Sequence, residues 1–187
     1  YTVIGILNLI SISIIPAVTA RLTLRSYEEA RKTEEAAARI TGLIAMPCAI
    51  GLAVLAEPVT ALLGQYAGEK LTLAARLTRI LAFAIVPNSA VLVTTAILQA
   101  HGHVSRPVLN LLFGGLLKLA AVHVLTDNPA IGILGTPIGT LLCYTVIGIL
   151  NLISIRQLLP APPALVRNLL RAFLPSCLMG AGSACIR

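Results

Sequence analysis

The sequence predicts an all-α integral membrane protein, a polytopic helical bundle of about six transmembrane segments. Three observations carry this. The chain is 57% hydrophobic and 11% charged, against about 25% charged residues in soluble domains, and its mean hydropathy is +0.93. Its apolar runs are long enough to cross a bilayer and are separated by Pro, Gly and charged residues. Its basic residues sit in the turns between those runs, the pattern that sets membrane topology. The net charge of +7 has no basic run, no tryptophan and only 4% aromatic residues behind it, so it does not point to nucleic acid.

The expected spans are 1–18, 40–56, 80–98, 108–125, 131–155 and 169–186. The first is interrupted at Pro16. Residues 21–39, RLTLRSYEEARKTEEAAAR, are polar nearly all round and predict a short solvated helical connector. Glu28/Lys32 and Glu35/Arg39 have the acid-first i,i+4 order that supports a helix. Ser26 and Glu29 form a candidate capping box at its start. Pro47 is expected to kink the second span, and Pro87-Asn88 to break the third. Residues 59–64 read as a short apolar tail and 71–79 as a helical lead-in. Residues 126–129, TDNP, read as a tight turn. Pro160, Pro162 and Pro163 make 156–167 a stiff surface connector before the last span, which contains Pro175.

Residues 94–125 organise the rest. They comprise the end of one span, a short basic turn, and a span with Lys118 at its middle. A lysine at mid-bilayer costs roughly 2.5–3.5 kcal/mol and is kept where it faces protein or a wet cavity. Asn110, Gly114 and Lys118 follow at four-residue steps, within about 80° of one another on a helix. This predicts a cavity-lining face, with snorkelling or structural bracing of Lys118 as the alternatives. Asn88, Ser89, Thr94 and Thr95 put further polar atoms into the hydrocarbon region, where they need partners. Gly132, Thr136 and Thr140, with Gly135 and Gly139 beside them, read as a close-packing surface. His101 and His103 read as a wet turn, and His123 as a packed or hydrogen-bonded residue within its span. Cys48, Cys143, Cys177 and Cys185 read as small buried hydrophobes. No metal, cofactor or catalytic constellation is expected, and the reading is not that of an enzyme.

With every span crossing once, loops 20–39, 99–107 and 156–168 share one side. They hold Arg21, Arg25, Arg31, Lys32, Arg39, Arg106, Arg156 and Arg167, so that side is expected to be cytoplasmic. Lys70, Arg76 and Arg79 lie opposite. Residues 1–12, YTVIGILNLISI, recur identically at 144–155. A structural repeat would have diverged, so this reads as a local duplication or an assembly error at the amino end. The chain itself reads as a fragment of a longer membrane protein.

The ordered set SIIPAVTA (13–20), EEARK (28–32), MPCAIGLAVLAEPVTALLG (46–64), RILAFAIVPNSAVLVTTAILQAHGH (79–103), RPVLNLLFGGLLK (106–118) and GILGTPIGTLLCY (132–144) resembles the C-terminal half of stage V sporulation protein B type flippases. These belong to the multidrug/oligosaccharidyl-lipid/polysaccharide exporter superfamily. TAILQ-x-x-G followed by RP-x-x-N-x-x-x-G-x-x-x-K is the specific part. The resemblance implies most of the second lobe of a two-lobed transporter in the cell membrane of a bacterium, working by alternating access. The implied cargo is an undecaprenyl pyrophosphate type lipid-linked glycan, such as a peptidoglycan precursor. The implied partners are that glycan, membrane lipid and the missing N-terminal half of the same chain. Lys118, Asn110 and Gln99 match a polar motif of the family, and Asn88 and Thr95 join them as substrate-cavity candidates. Two departures stand out: residues 1–12 do not look like the family's helix there, and His123 stands where asparagine is more usual. A cation-coupled multidrug exporter of the same superfamily, favoured by a buried carboxylate in the cavity, and a non-transporting membrane scaffold are the competing readings.

Overall fold

The computed structural model describes residues 2–64, 68–127 and 132–159. Every regular element among them is helical: α1 (Thr2–Thr23), α2 (Tyr27–Val54), α3 (Ala56–Gly64), α4 (Glu69–Ala100), α5 (Ser105–Asp127), a 3-10 turn (Gly132–Leu134) and α6 (Gly135–Leu158). Five of these helices are long and apolar enough to cross a membrane. The segment 169–186 lies outside the described residues, as do the prolines expected to stiffen 156–167, Cys177 and Cys185.

Helix α4 is the axis of the bundle. It packs against α1, α2, α3 and α6, while α5 packs chiefly on α6. At one end Ile14 and Val18 of α1 meet Ala30 and Ala37 of α2 and Ala96 and Ala100 of α4. Beside them Ala38, Val93, Ile97, Ile155 and Leu159 form a second cluster. Alanines on α2 and α4 let the backbones approach where no water drives association. The turns after α1 and α4 and the end of α6 all lie at this end, since Leu22, Tyr27, His101 and Leu159 line one small cavity. The end expected to be cytoplasmic is thus one surface of the bundle.

Three expectations about helix boundaries are corrected. The connector 21–39 is not a separate solvated helix: its larger part is continuous with the following span in the 28-residue α2. Ala30, Glu34, Ala37 and Ala38 are buried against neighbours, so tertiary packing overrides the polar composition. The break at Pro87 does not occur either, because α4 runs through it for 32 residues, as α1 runs through Pro16. A proline removes one backbone donor, which a membrane helix tolerates when neighbours re-satisfy the freed groups. At 1.5 Å per residue α4 is about 48 Å long, so the turns bearing Lys70, Arg76 and Arg79 extend beyond a hydrocarbon core of about 30 Å. Arg79 reaches Glu57 at 4.0 Å there. Finally, Ser26 does not cap α2 through its side chain. Its amide is used instead to close α1, bonding Arg21 O at 3.0 Å.

The two turns at the shared end have the same form. Ser26 N bonds Arg21 O and Arg25 N bonds Leu22 O, each at 3.0 Å; His103 N bonds Leu98 O at 2.9 Å and Gly102 N bonds Gln99 O at 3.0 Å. Both are Schellman closures, which place one residue in the left-handed region. Gly102 fills it at φ 81, whereas Arg25 fills it at φ 56. Side chains pay strain there that glycine does not. Arg25→Gly is expected to stabilise the chain by about 0.5–1 kcal/mol, raising Tm in detergent by about 1–3 °C. Gly102→Ala should lower it.

Candidate functional site

Helices α5 and α6 run antiparallel along a seam of small residues. A Cβ at Gly114 would collide with the Ile147 side chain and lie 3.6 Å from Cys143 Sγ. One at Gly139 would stand 2.7 Å from Val122 Cγ2 and 3.8 Å from Lys118 O, and one at Gly135 would stand 2.8 Å from Leu125 Cβ. The contacts 114–147, 118–139 and 125–135 trace the i,i+4 faces of both helices. The small residues expected at 135 and 139 therefore meet α5.

At one end of the seam is a polar node shared by three helices. Asn110 Nδ2 donates to Asn151 Oδ1 at 2.9 Å and to Ser154 Oγ at 3.3 Å. Asn151 Nδ2 in turn donates to Thr94 Oγ1 and Thr95 Oγ1, each at 3.1 Å. The threonine and serine hydroxyls discharge their own protons locally, Thr94 onto Ala90 O at 2.7 Å and Ser154 onto Leu150 O at 2.9 Å. Asn151, Thr94 and Ser154 are buried, so the node satisfies amide groups that lipid could not.

The residues singled out from the sequence divide around it. Asn110 and Thr95 belong to the node, joined through Asn151. Asn88, Thr95 and Gln99 are all half-buried, and their spacing puts them on one stripe of α4. Lys118 is half-buried on the seam face of α5, two turns along from Asn110. Among the described residues it makes no ion pair. The side chains thus form a half-buried α4 stripe that joins the bonded node at Thr95, with one cation set along the α5–α6 seam.

The partner expected for Thr94 is found in Asn151, but sequence reasoning missed Asn151 and Ser154 themselves, and it missed a second site. Glu34 Oε1 lies 2.8 Å from His101 Nε2, with side-chain exposures of 2% and 15%. His101 is thus not merely a wet turn residue, and Glu34 is not solvated. The signal was present: Ala30, Ala37, Ala38, Thr41 and Ala45 mark one face of α2 as packed, and Glu34 falls on it. Within the same helix Arg31 meets Glu35 at 3.6 Å. His123 is corrected in the other direction. It is 78% exposed and pairs with Asp127 at 3.2 Å near the end of α5. Cys48 and Cys143 are free thiols, half-buried and buried respectively.

A helical bundle with five candidate spans and a hydrogen-bonded polar node inside it defines a polytopic membrane protein. The MatE family model matches residues 1–123, about two thirds of the chain, and the chain belongs to the MatE family of membrane transporters. Members of this family are transporters and not enzymes. Neither a curated protein nor a solved structure matches the chain at a significant level.

Proposed function

We propose that this chain forms most of one lobe of a flippase-type transporter, moving a lipid-linked oligosaccharide or peptidoglycan precursor across the bacterial cytoplasmic membrane by alternating access. The observation that carries the reading is Lys118. It is a half-buried cation in the middle of a membrane helix, with no carboxylate paired to it among the described residues. A charge held at that depth is a functional group by default. In a low-dielectric setting it attracts a pyrophosphate-bearing cargo far more strongly than it would in water. On the half-buried stripe, Asn88 and Gln99 supply donors and acceptors suited to sugar hydroxyls, with Thr95 between them bonded to Asn151.

The test is flipping of a fluorescent lipid-linked glycan by the full-length chain in proteoliposomes. Lys118→Ala is expected to lower the rate roughly tenfold to a hundredfold, the worth of one hydrogen bond to a charged group, and Lys118→Arg to keep most of it. Equal rates for wild type and Lys118→Ala remove Lys118 from the site. Glu34 supports a second reading, a cation-coupled multidrug exporter, because a buried carboxylate suits a coupling cation. That reading takes over if no lipid-linked glycan is flipped while cells carrying the chain resist cationic dyes and lose that resistance with Glu34→Gln.

A further inference from the structure

We propose that the groove between α2, α4 and α6 is a binding site for one acyl chain of a bilayer phospholipid. At the closed end of the bundle these helices meet in one cluster, with Ala38 of α2 and Ile155 and Leu159 beside Val93 and Ile97 of α4. Further from that end they leave a space. Met46 of α2, Phe83, Val86 and Ala90 of α4, and Leu141 and Thr145 of α6 border a cavity of about 340 Å³. An apolar cavity of about 150 Å³ already holds a benzene ring, so a length of hydrocarbon chain fits here.

Depth and chemistry select the occupant. Residues 83–90 are central in the 32-residue α4, a helix longer than the hydrocarbon core is thick, so the groove lies inside that core. It opens to the side: Phe83 is 56% exposed, whereas Met46 at its floor is 6% exposed. No charged residue lines it. Its one hydroxyl, on Thr145, donates to Leu141 O at 2.8 Å. Water would lack the two to four polar partners it needs. An empty space would forfeit the dispersion contacts of every lining atom. A lipid chain supplies those contacts and is present at this depth at high concentration.

The sequence makes the groove by residue size. Position 90 is an alanine, and Pro87, which also lines the space, brings no amide proton to it. Between membrane helices no hydrophobic drive closes such a gap, because lipid tails are as apolar as the side chains. A bound chain therefore acts as filler between α2 and α6 at the level where the Ala38 cluster no longer joins them. The stripe of Asn88, Thr95 and Gln99 lies on the other side of α4 by helical spacing, so this site is separate from the cargo site proposed above.

The experiment is photocrosslinking of the full-length chain in phosphatidylglycerol–phosphatidylcholine vesicles. These contain a phospholipid with a diazirine midway along one acyl chain, and adducts are located by mass spectrometry. Adducts are expected at Met46, which lipid reaches by entering the groove, and at Phe113 of α5, which is 57% exposed. Ala90→Leu, which fills the groove, is expected to remove the Met46 adducts and to leave those at Phe113. Should Ala90→Leu fail to insert, Val86→Phe carries the same comparison. Adducts at Phe113 with none at Met46 overturn the proposal, as they would if the segment 169–186 covered the groove. Met46 adducts undiminished in the filled variants overturn it too. Their loss from wild type on adding a small fraction of a polyprenyl phosphate assigns the groove to an isoprenoid chain and overturns the acyl-chain reading.

Discussion

Gly114→Leu should separate α5 from α6 and cost about 3 kcal/mol of stability. The first carbon of any side chain at 114 falls within the space of Ile147, and Ile147 is 1% exposed. A residue so enclosed has no open direction in which to turn, so the helix axes must move apart. The seam contacts at Gly135 and Gly139 weaken with them. The neighbouring Gly115 is the control, since nothing lies within 4 Å of a Cβ built there. Gly115→Ala is expected to be neutral or to stabilise by up to about 1 kcal/mol through helix propensity. Chemical unfolding of both variants in mixed micelles measures the contrast. Gly114→Ala combined with Ile147→Ala should recover part of the loss, which a purely conformational effect of glycine would not allow.

The second large effect is at Asn151. Asn151→Leu removes three hydrogen bonds to Asn110, Thr94 and Thr95. Membrane side-chain hydrogen bonds average about 0.6 kcal/mol and reach about 1.7, and the branched side chain also fits the space poorly. A loss of about 2–4 kcal/mol is expected. Asn8 occupies the corresponding position in the first copy of YTVIGILNLISI, yet it is exposed. Asn8→Leu should therefore leave the melting temperature of the chain unchanged or raise it. An equal loss from both substitutions would mean that the node does not hold the three helices together.

Much of this fold was legible because lipid simplifies the code. Long apolar runs become helices, and the turn at Gly102 follows from a glycine after α4. Helix boundaries were less legible where charge and packing conflict. Residues 27–39 look solvated by composition, but their alanines form a stripe that binds α2 to α4, and Glu34 is carried inside with them. The prolines at 16 and 87 read as breaks, and both lie within continuous helices, as does Pro47, from which only a kink was expected. Such a residue costs one bond, whereas ending a helix in lipid would expose several groups. The polar face of Asn110, Gly114 and Lys118 was evident from spacing alone. That Asn110 would bond Asn151 was not, because spacing within one helix says nothing about which helix answers it. The exposure of His123 was missed for the same reason: spacing on α5 alone does not say that this residue faces away from the neighbouring helices, beside Asp127.

The duplicated dodecapeptide also bears on how the chain assembles as it enters the membrane. Two helices carry the same asparagine-centred string, and α1 is made first, before α5 exists to receive either. Once α5 is inserted, the earlier copy is already present as a competitor for Asn110. The later copy prevails by tethering. Only four residues separate α5 from the turn that opens α6, so its effective concentration beside α5 is of the order of millimolar or more. The α1 copy, by contrast, is drawn toward α2 and α4 by Leu7, Ile14 and Val18, all buried. Connectivity, not the local string, decides which of two identical segments becomes the partner. Lengthening the link between α5 and α6 would be the way to set the two copies in open competition.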